Sequence, residues 1–349
     1  MLNSKAYDFT VLFIVQYACY NIYMIKNDVE GGFIMSEIQS IVKSVILGHT
    51  VADALGVPAE FMDRQTLSLY PVTDMEGYGT YELPKGCWSD DTSMSLAALE
   101  SLSGSLDFDD IMLKLGEWYY EGKYTPMGDT FDIGNTCSIA IDNYCILRKD
   151  YTECGLTDEN SNGNGSLMRI HPFVLYAYCA KMSQSECIGL VHVASALTHA
   201  HERSRIGCGI YSFVLRYLLE CPDKSSVISA LNEAKAYYSD CAELSHYERL
   251  FAPNFSTLNT DDIKSTGYIV DTLEAAIWCL LTTDSYEECV LRAVNLGYDT
   301  DTVAAVAGGL AGALYGYEAI PKKWLNDLKR VEYIENMCDT AGKAWESLS

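Results

Sequence analysis

The chain has 349 residues, 49% hydrophobic and 21% charged, a composition that fits one large or two smaller globular domains and excludes wholesale disorder. Its formal net charge is −24, from 24 Lys and Arg against 48 Asp and Glu, and its densest basic stretch, "PKKWLNDLKR" at 321–330, has Asp327 inside it. No nucleic-acid partner is expected from such a balance.

At the N-terminus, "FTVLFIVQYACYNIYMI" (9–25) carries no charge but is interrupted by Gln16 and Asn21, and no cleavage site of small residues follows. Residues 1–35 read as an extension outside the fold, upstream of a domain over 36–349 that opens with Ser36 as an N-cap. No membrane association is expected unless 9–25 acts as an anchor. Apolar spacings of three and four then recur in "IQSIVKSVILGHTVADAL" (38–55), "MSLAALESL" (94–102) and "DDIMLKLGEWYYEG" (109–122). They return in "CIGLVHVASALTHA" (187–200), "IGCGIYSFVLRYLLE" (206–220), "IVDTLEAAIWCLL" (269–281) and "YEECVLRAVNLG" (286–297). The last such stretch, 302–316, is rich in Ala and Gly, and Gly308, Gly309 and Gly312 predict a buried central helix closely approached by its neighbours. Segments 69–88 and 150–169 read as loops, and 240–266, with weak periodicity, as a surface excursion. No strand hairpin, fixed-period repeat or linker appears, so the expected fold is a single all-α, multi-helix domain. Thirteen Cys, an odd number with no CxxC pair, argue against a disulfide framework or zinc ribbon and for a reducing, cytoplasmic location.

Two acid knots stand at predicted helix starts: "SDDTSM" (89–94) and "DTDT" (299–302). An acid or Ser there is ordinary capping, stabilising by about 0.3–1 kcal/mol through the helix dipole. Capping does not call for Asp90 and Asp91 together, nor for Asp299 and Asp301 ahead of so apolar a helix. If the knots meet, their carboxylates repel one another, and divalent cations remove that repulsion. Carboxylate and hydroxyl oxygens are hard ligands that suit Mg²⁺, Mn²⁺ or Ca²⁺ rather than zinc.

Seven stretches in order, "GHTVADALGVPAEF" (48–61), "GCWSDDTSM" (86–94), "FDIGNT" (131–136), "GNGSLMRIHPF" (163–173), "ALTHAHERS" (196–204), "STGYIVDTLEAAIWCLL" (265–281) and "VNLGYDTDTVAAVAGGLAGALYG" (294–316), resemble the ADP-ribosylglycohydrolase family. "FDIGNT" is most similar to the branch that includes the dinitrogenase-reductase-activating glycohydrolases. The resemblance implies an all-α fold with two divalent cations, Mg²⁺ or Mn²⁺, held by Ser89, Asp90, Asp91, Asp299, Asp301 and Thr302, with Asp301 shared. Ser89 replaces the family's usual Thr, and Tyr298 stands where many members carry a small residue such as Gly.

By the same resemblance Glu60 and Asp132 are the carboxylates at the scissile bond. Glu60 is expected to have a low pKa because it lies near divalent charge. Asn135, Thr136, Asn164, Ser166, His199 and Tyr268 match substrate-binding positions, while Arg169 is expected to brace the site by pairing with an acid. His201 stays unassigned. The implied function is metal-dependent hydrolysis of the glycosidic bond between ADP-ribose and an acceptor, with ADP-ribosyl-arginine on protein favoured over O-linked or small acceptors. A non-catalytic ADP-ribose binder or immunity protein is the alternative. A monomer is expected.

Overall fold

Residues 36–348 are described by the computed structural model; the predicted extension over 1–35 lies outside the described residues. Helix α1 (Glu37–Gly56) begins at Ser36, whose hydroxyl accepts from the Gln39 amide while the Gln39 side chain accepts from the Ser36 amide. This reciprocal cap satisfies two amides that the first helical turn leaves without partners. Then follow α2 (Arg64–Leu69), α3 (Asp90–Leu102), α4 (Phe108–Glu121), α5 (Asn135–Cys145), α6 (His171–Cys179) and α7 (Gln184–Ala196). The second half contains α8 (Glu202–Glu220), α9 (Lys224–Tyr237), α10 (Ile269–Thr282), α11 (Tyr286–Val294), α12 (Thr300–Tyr315), α13 (Lys322–Asp327) and α14 (Val331–Glu346). Among the described residues there is no β-strand, only three isolated bridges such as Gly163 with Tyr268, as the all-α expectation requires.

The centre of the fold is the pair α1 and α12. A Cβ on Gly48 would stand 2.6 Å from the Gly308 carbonyl oxygen, and one on Gly312 would stand 2.0 Å from the Ser44 carbonyl oxygen. The two backbones therefore touch, as the glycines of 302–316 predict. Around this pair α14 packs on α1, and α10 and α11 pack on α12. One stretch among the described residues, Glu37–Ala59, is long and apolar enough to cross a membrane; 83% of its most apolar window is buried inside the protein, so its apolarity also serves the core.

The close approach continues to the end of α1. A Cβ on Gly56 would lie 2.3 Å from Asp301 Cα, and Thr300 Oγ1 donates to the Gly56 carbonyl at 2.8 Å. The C-terminus of α1 thus sits against the N-terminus of α12, which fixes where the second acid knot stands. Segment 240–266 lies largely at the surface, as expected, but is ordered and anchored. It folds into 3-10 turns over Ala242–Phe251, Phe255–Thr257 and Thr260–Asp262. Tyr247, Leu250 and Phe255 are buried in these turns, and the Tyr247 hydroxyl donates to the Arg203 carbonyl. Burial of a few large side chains, rather than helical periodicity, anchors the segment.

Two glycine substitutions separate these effects. Gly312→Val forces a side chain into the α1 backbone and is expected to lower stability by at least about 1–3 kcal/mol. Gly189 lies exposed within α7 with no atom near a Cβ, so Gly189→Ala is expected to raise stability by about 0.5–1 kcal/mol. Denaturant titration of both variants checks the pair.

Candidate metal centre and active-site cleft

The two acid knots meet. Ser89 caps α3, its hydroxyl accepting from the Asp91 amide and donating to Asp91 Oδ2 at 2.9 Å. Thr302, in the first turn of α12, donates to the same Asp91 oxygen at 3.3 Å across 211 residues of sequence. Asp299 occupies the N-cap of α12, yet its carboxylate makes no capping bond. It instead accepts from Asn164 Nδ2 at 2.8 Å, so ordinary capping does not account for it.

Two groups of carboxylate oxygens lie within 4.8 Å of one another: Asp53, Asp91 and Asp301 form one, Glu60, Asp132 and Asp301 the other. Asp301 belongs to both. Asp90 is 6% exposed, Asp91 and Asp301 are buried beside it, and Asp299 is half-buried. Asp91 Oδ1, Asp299 Oδ1 and Asp301 Oδ2 are buried without any hydrogen-bond donor from the protein. Orphaned anionic oxygens in an all-oxygen donor set fit hard cations: these clusters can hold metal ions.

Asp53 was not among the sequence candidates. It is the one acid on the buried part of helix α1, where its carboxylate accepts from the Ser89 amide, the Thr92 amide and the Thr92 hydroxyl at 2.6–3.2 Å. It therefore holds the start of α3 against α1. The only signal in the sequence was a charge on an otherwise buried face, too weak to assign without knowing what opposes it.

Beside the acids opens a cleft of about 400 Å³ lined by Glu60, Asp90, Asp132, Asp299 and Thr302. Asn135, Thr136, Asn164 and His199 line it too, with Asn135 and Thr136 opening α5. Tyr268 lies on an adjoining hollow with Glu159 and Arg203, its ring 5.9 Å from the Arg203 guanidinium carbon. Ser166 is fully buried and does not line the cleft; its hydroxyl accepts from Ser195 and contacts Cys208 behind the glycine-rich turn. Asn164 also donates to Thr272, so its amide ties the turn to Asp299 and α10. Arg169 requires a correction. It is fully buried but has no acid partner: Nη2 donates to the Ala194 carbonyl and to Thr198 Oγ1, which in turn bonds His199 Nδ1. Arg169 braces the site through a carbonyl and a hydroxyl rather than through a charge.

The profile of the ADP-ribosylglycohydrolase family matches residues 35–348. The chain belongs to the ADP-ribosylglycohydrolase family. It is 35% identical over 87% of its length to the ADP-ribosylarginine hydrolase Tri1 of Serratia proteamaculans (strain 568), covering 79% of that protein. To the ADP-ribosyl-[dinitrogen reductase] glycohydrolase of Rhodospirillum rubrum it is 32% identical, over 81% of this chain and 88% of the relative. A solved structure titled ADP-ribosylglycohydrolase-related protein complex superposes with a TM-score of 0.74 at 31% identity, over 89% of this chain and 99% of the other.

In this member of the ADP-ribosylglycohydrolase family the protein groups alone push the site carboxyls upward. Burial, and after it the charge of Asp132, raises Glu60 to about 9 despite a 2.5 Å hydrogen bond from the Tyr81 hydroxyl. The low value expected from sequence counted divalent charge, which the protein groups alone do not supply. A cation acts on the same carboxyl in the opposite direction. Burial raises Asp53 to about 6 and holds Asp90, Asp91 and Asp301 well above the ordinary carboxylate range. Burial also lowers His199 to about 3, so its ring enters the cleft uncharged at neutral pH.

Raised carboxyls mean that the folded chain binds protons more tightly than the unfolded chain, so this stability is lost as pH rises. For Asp53 the loss runs from about 3.8 to about 6, and for Glu60 from about 4.5 to about 9. In a chelator the melting temperature is expected to fall between about pH 5 and 8.5, and Glu60→Gln is expected to flatten the alkaline part of that fall. Thermal melts across the range test this; a melting temperature that rises with pH contradicts it.

Proposed function

We propose that the cleft hydrolyses the glycosidic bond between ADP-ribose and an arginine side chain on a protein, with two divalent cations, Mg²⁺ or Mn²⁺, at the acid centre. The observation that carries this reading is Asp301, common to two carboxylate groups, of which one brings in Glu60 and Asp132 from the wall of the cleft. The family and the names of the relatives support the ADP-ribosyl substrate, and the 35% identity to an ADP-ribosylarginine hydrolase supports the arginine linkage.

Ser89, Asp90, Asp91, Asp299, Asp301 and Thr302 are the residues to hold the cations, joined by Asp53 behind the first group. When bound, the cations supply charge neutralisation and Lewis-acid polarisation beside the anomeric carbon. Charge requires some such partner. ADP-ribose carries a diphosphate, and the residues that line the cleft include several acids and no Lys or Arg.

The chain's own residues then divide the work. The backbone amides of Gly163 and Gly165, flanking an Asn164 amide already spent on the Gly267 carbonyl, and the N-terminus of α5, at Asn135 and Thr136, would receive the diphosphate. Uncharged His199, oriented by Thr198 and Arg169, and the ring of Tyr268 border the same run towards the nucleotide. Glu60 and Asp132, brought into one group with Asp301, handle protons: one takes a proton from the attacking water and the other gives one to the departing guanidine nitrogen. The Tyr81 hydroxyl fixes Glu60 for that task. Asp132 is held in a left-handed backbone conformation, φ 55°, that turns it out of the run 130–134.

The test is release of ADP-ribose from ADP-ribosylated arginine with Mg²⁺ or Mn²⁺ and after EDTA. EDTA is expected to abolish release and either ion to restore it in the native chain but not in Asp301→Ala. Glu60→Gln is expected to slow release by about 10²–10⁴-fold. Binding of ADP-ribose without release from any linkage would leave a binding protein, and inorganic phosphate as product would mark a phosphohydrolase.

A further inference from the structure

Phe61, which lines the cleft, and Tyr298, joined to it through the backbone, stand in a conformation that side chains rarely adopt. Phe61, next to Glu60, has φ 65°, and Tyr298, next to Asp299, has φ 66°. Both lie in the left-handed region, which glycine enters freely and other residues enter only at a steric cost. Their backbones are tied together: the Phe61 amide donates to the Tyr298 carbonyl at 2.6 Å, and the Tyr298 amide to the Met62 carbonyl at 2.7 Å. This two-bond link holds the strained pair in place. Neither ring is used by the core, since Phe61 is 68% exposed and Tyr298 48%. A position that favours glycine, filled by an exposed aromatic side chain beside a metal-centre acid, points to a use for the ring outside the fold.

The surroundings define what such rings would meet. Phe61 continues an aromatic row along the cleft edge, with Tyr81 at 6.5 Å and Phe131 a further 5.0 Å on, centroid to centroid. The four loops that form this edge, 57–63, 74–84, 127–135 and 296–302, contain no Lys or Arg. They do contain Asp63, Glu82 and Asp129, all exposed, besides the acids of the site. Of the cations that flank these loops, Arg64 spends its guanidinium on the carbonyls of Leu296, Thr260 and Ile263, and Lys85 pairs with Asp327. The glycine-rich turn and His199 take the nucleotide end of the cleft in the reading above, so the Phe61 edge, across Glu60 and Asp132, is left for the leaving group.

We propose that Phe61 and Tyr298 form an acceptor subsite, an aromatic shelf ringed by acids that stacks on the guanidinium of the modified arginine. Planar cations bind the faces of aromatic rings, and exposed carboxylates raise their local concentration. This inference rests on the reading of the cleft as an ADP-ribosyl-arginine hydrolase and adds what sets its preference for the acceptor.

The experiment compares native chain, Tyr298→Gly and Tyr298→Phe on a peptide carrying ADP-ribosyl-arginine, with inhibition by free ADP-ribose measured in parallel. Tyr298→Gly relieves the backbone strain, so its melting temperature is expected to equal or exceed the native value and misfolding does not cloud the result. Its KM is expected to rise about three- to tenfold with kcat little changed, while inhibition by ADP-ribose stays the same. Tyr298→Phe, which keeps the ring, is expected to restore the native KM. An unchanged KM in Tyr298→Gly overturns the subsite, and so does an equal loss of affinity for ADP-ribose, which would give the ring to the nucleotide. Failure of the native chain to release ADP-ribose from the peptide overturns the functional reading itself, before any variant is compared.

Discussion

Packing like charges inside a protein is the constraint on which this structure turns. Asp53, Asp90, Asp91, Asp299 and Asp301 are carboxylates gathered into one region, and burial first, with the charge of neighbouring acids after it for all but Asp53, pushes them above their ordinary range. Such a cluster destabilises a fold unless its charge is removed by protons or met by cations. Three of its oxygens have no donor at all. A chain that keeps them so has reserved them for something other than its own hydrogen bonds.

The rest of the fold brings those oxygens together and holds them still. Glycines 48, 308 and 312 let α1 and α12 approach until backbones touch, and Gly56 lets the end of α1 abut Asp301. The same helix carries Asp53, which binds the amides at the start of α3. One central helix thus sets the position of both acid knots, the first through Asp53 and the second through Thr300. Asn164 then ties Asp299 to the glycine-rich turn, so that the centre and the wall of the cleft share one hydrogen-bonded frame.

Much of this was legible in the sequence, and what was hidden has physical reasons. Wide apolar stripes announced α1, α3, α4, α7, α8 and α10–α12, because a helix that faces a core must repeat every three to four residues. Helices α5, α9 and α14 passed unnoticed, with only three to five buried positions each, as did α6, which is apolar nearly all round, and the short α2 and α13. The acid knots stood out since two neighbouring carboxylates exceed what a cap needs. Asp53 did not, for a single acid in an apolar helix gives no hint of what it faces. Arg169 misled in the opposite direction: a buried guanidinium was expected to seek a carboxylate, but its hydrogen bonds go to the Ala194 carbonyl and Thr198. Tyr298 was visible as an odd residue beside Asp299; only its backbone angle reveals that the oddity carries strain.

The central claim is that Asp301 joins two cation sites. Anomalous diffraction from crystals soaked in Mn²⁺ tests it most directly. The account predicts two peaks, both within bonding distance of Asp301, one on the side of Asp53 and Asp91 and the other on the side of Glu60 and Asp132. Manganese found elsewhere, or no manganese between these carboxylates at a concentration that saturates activity, would contradict it.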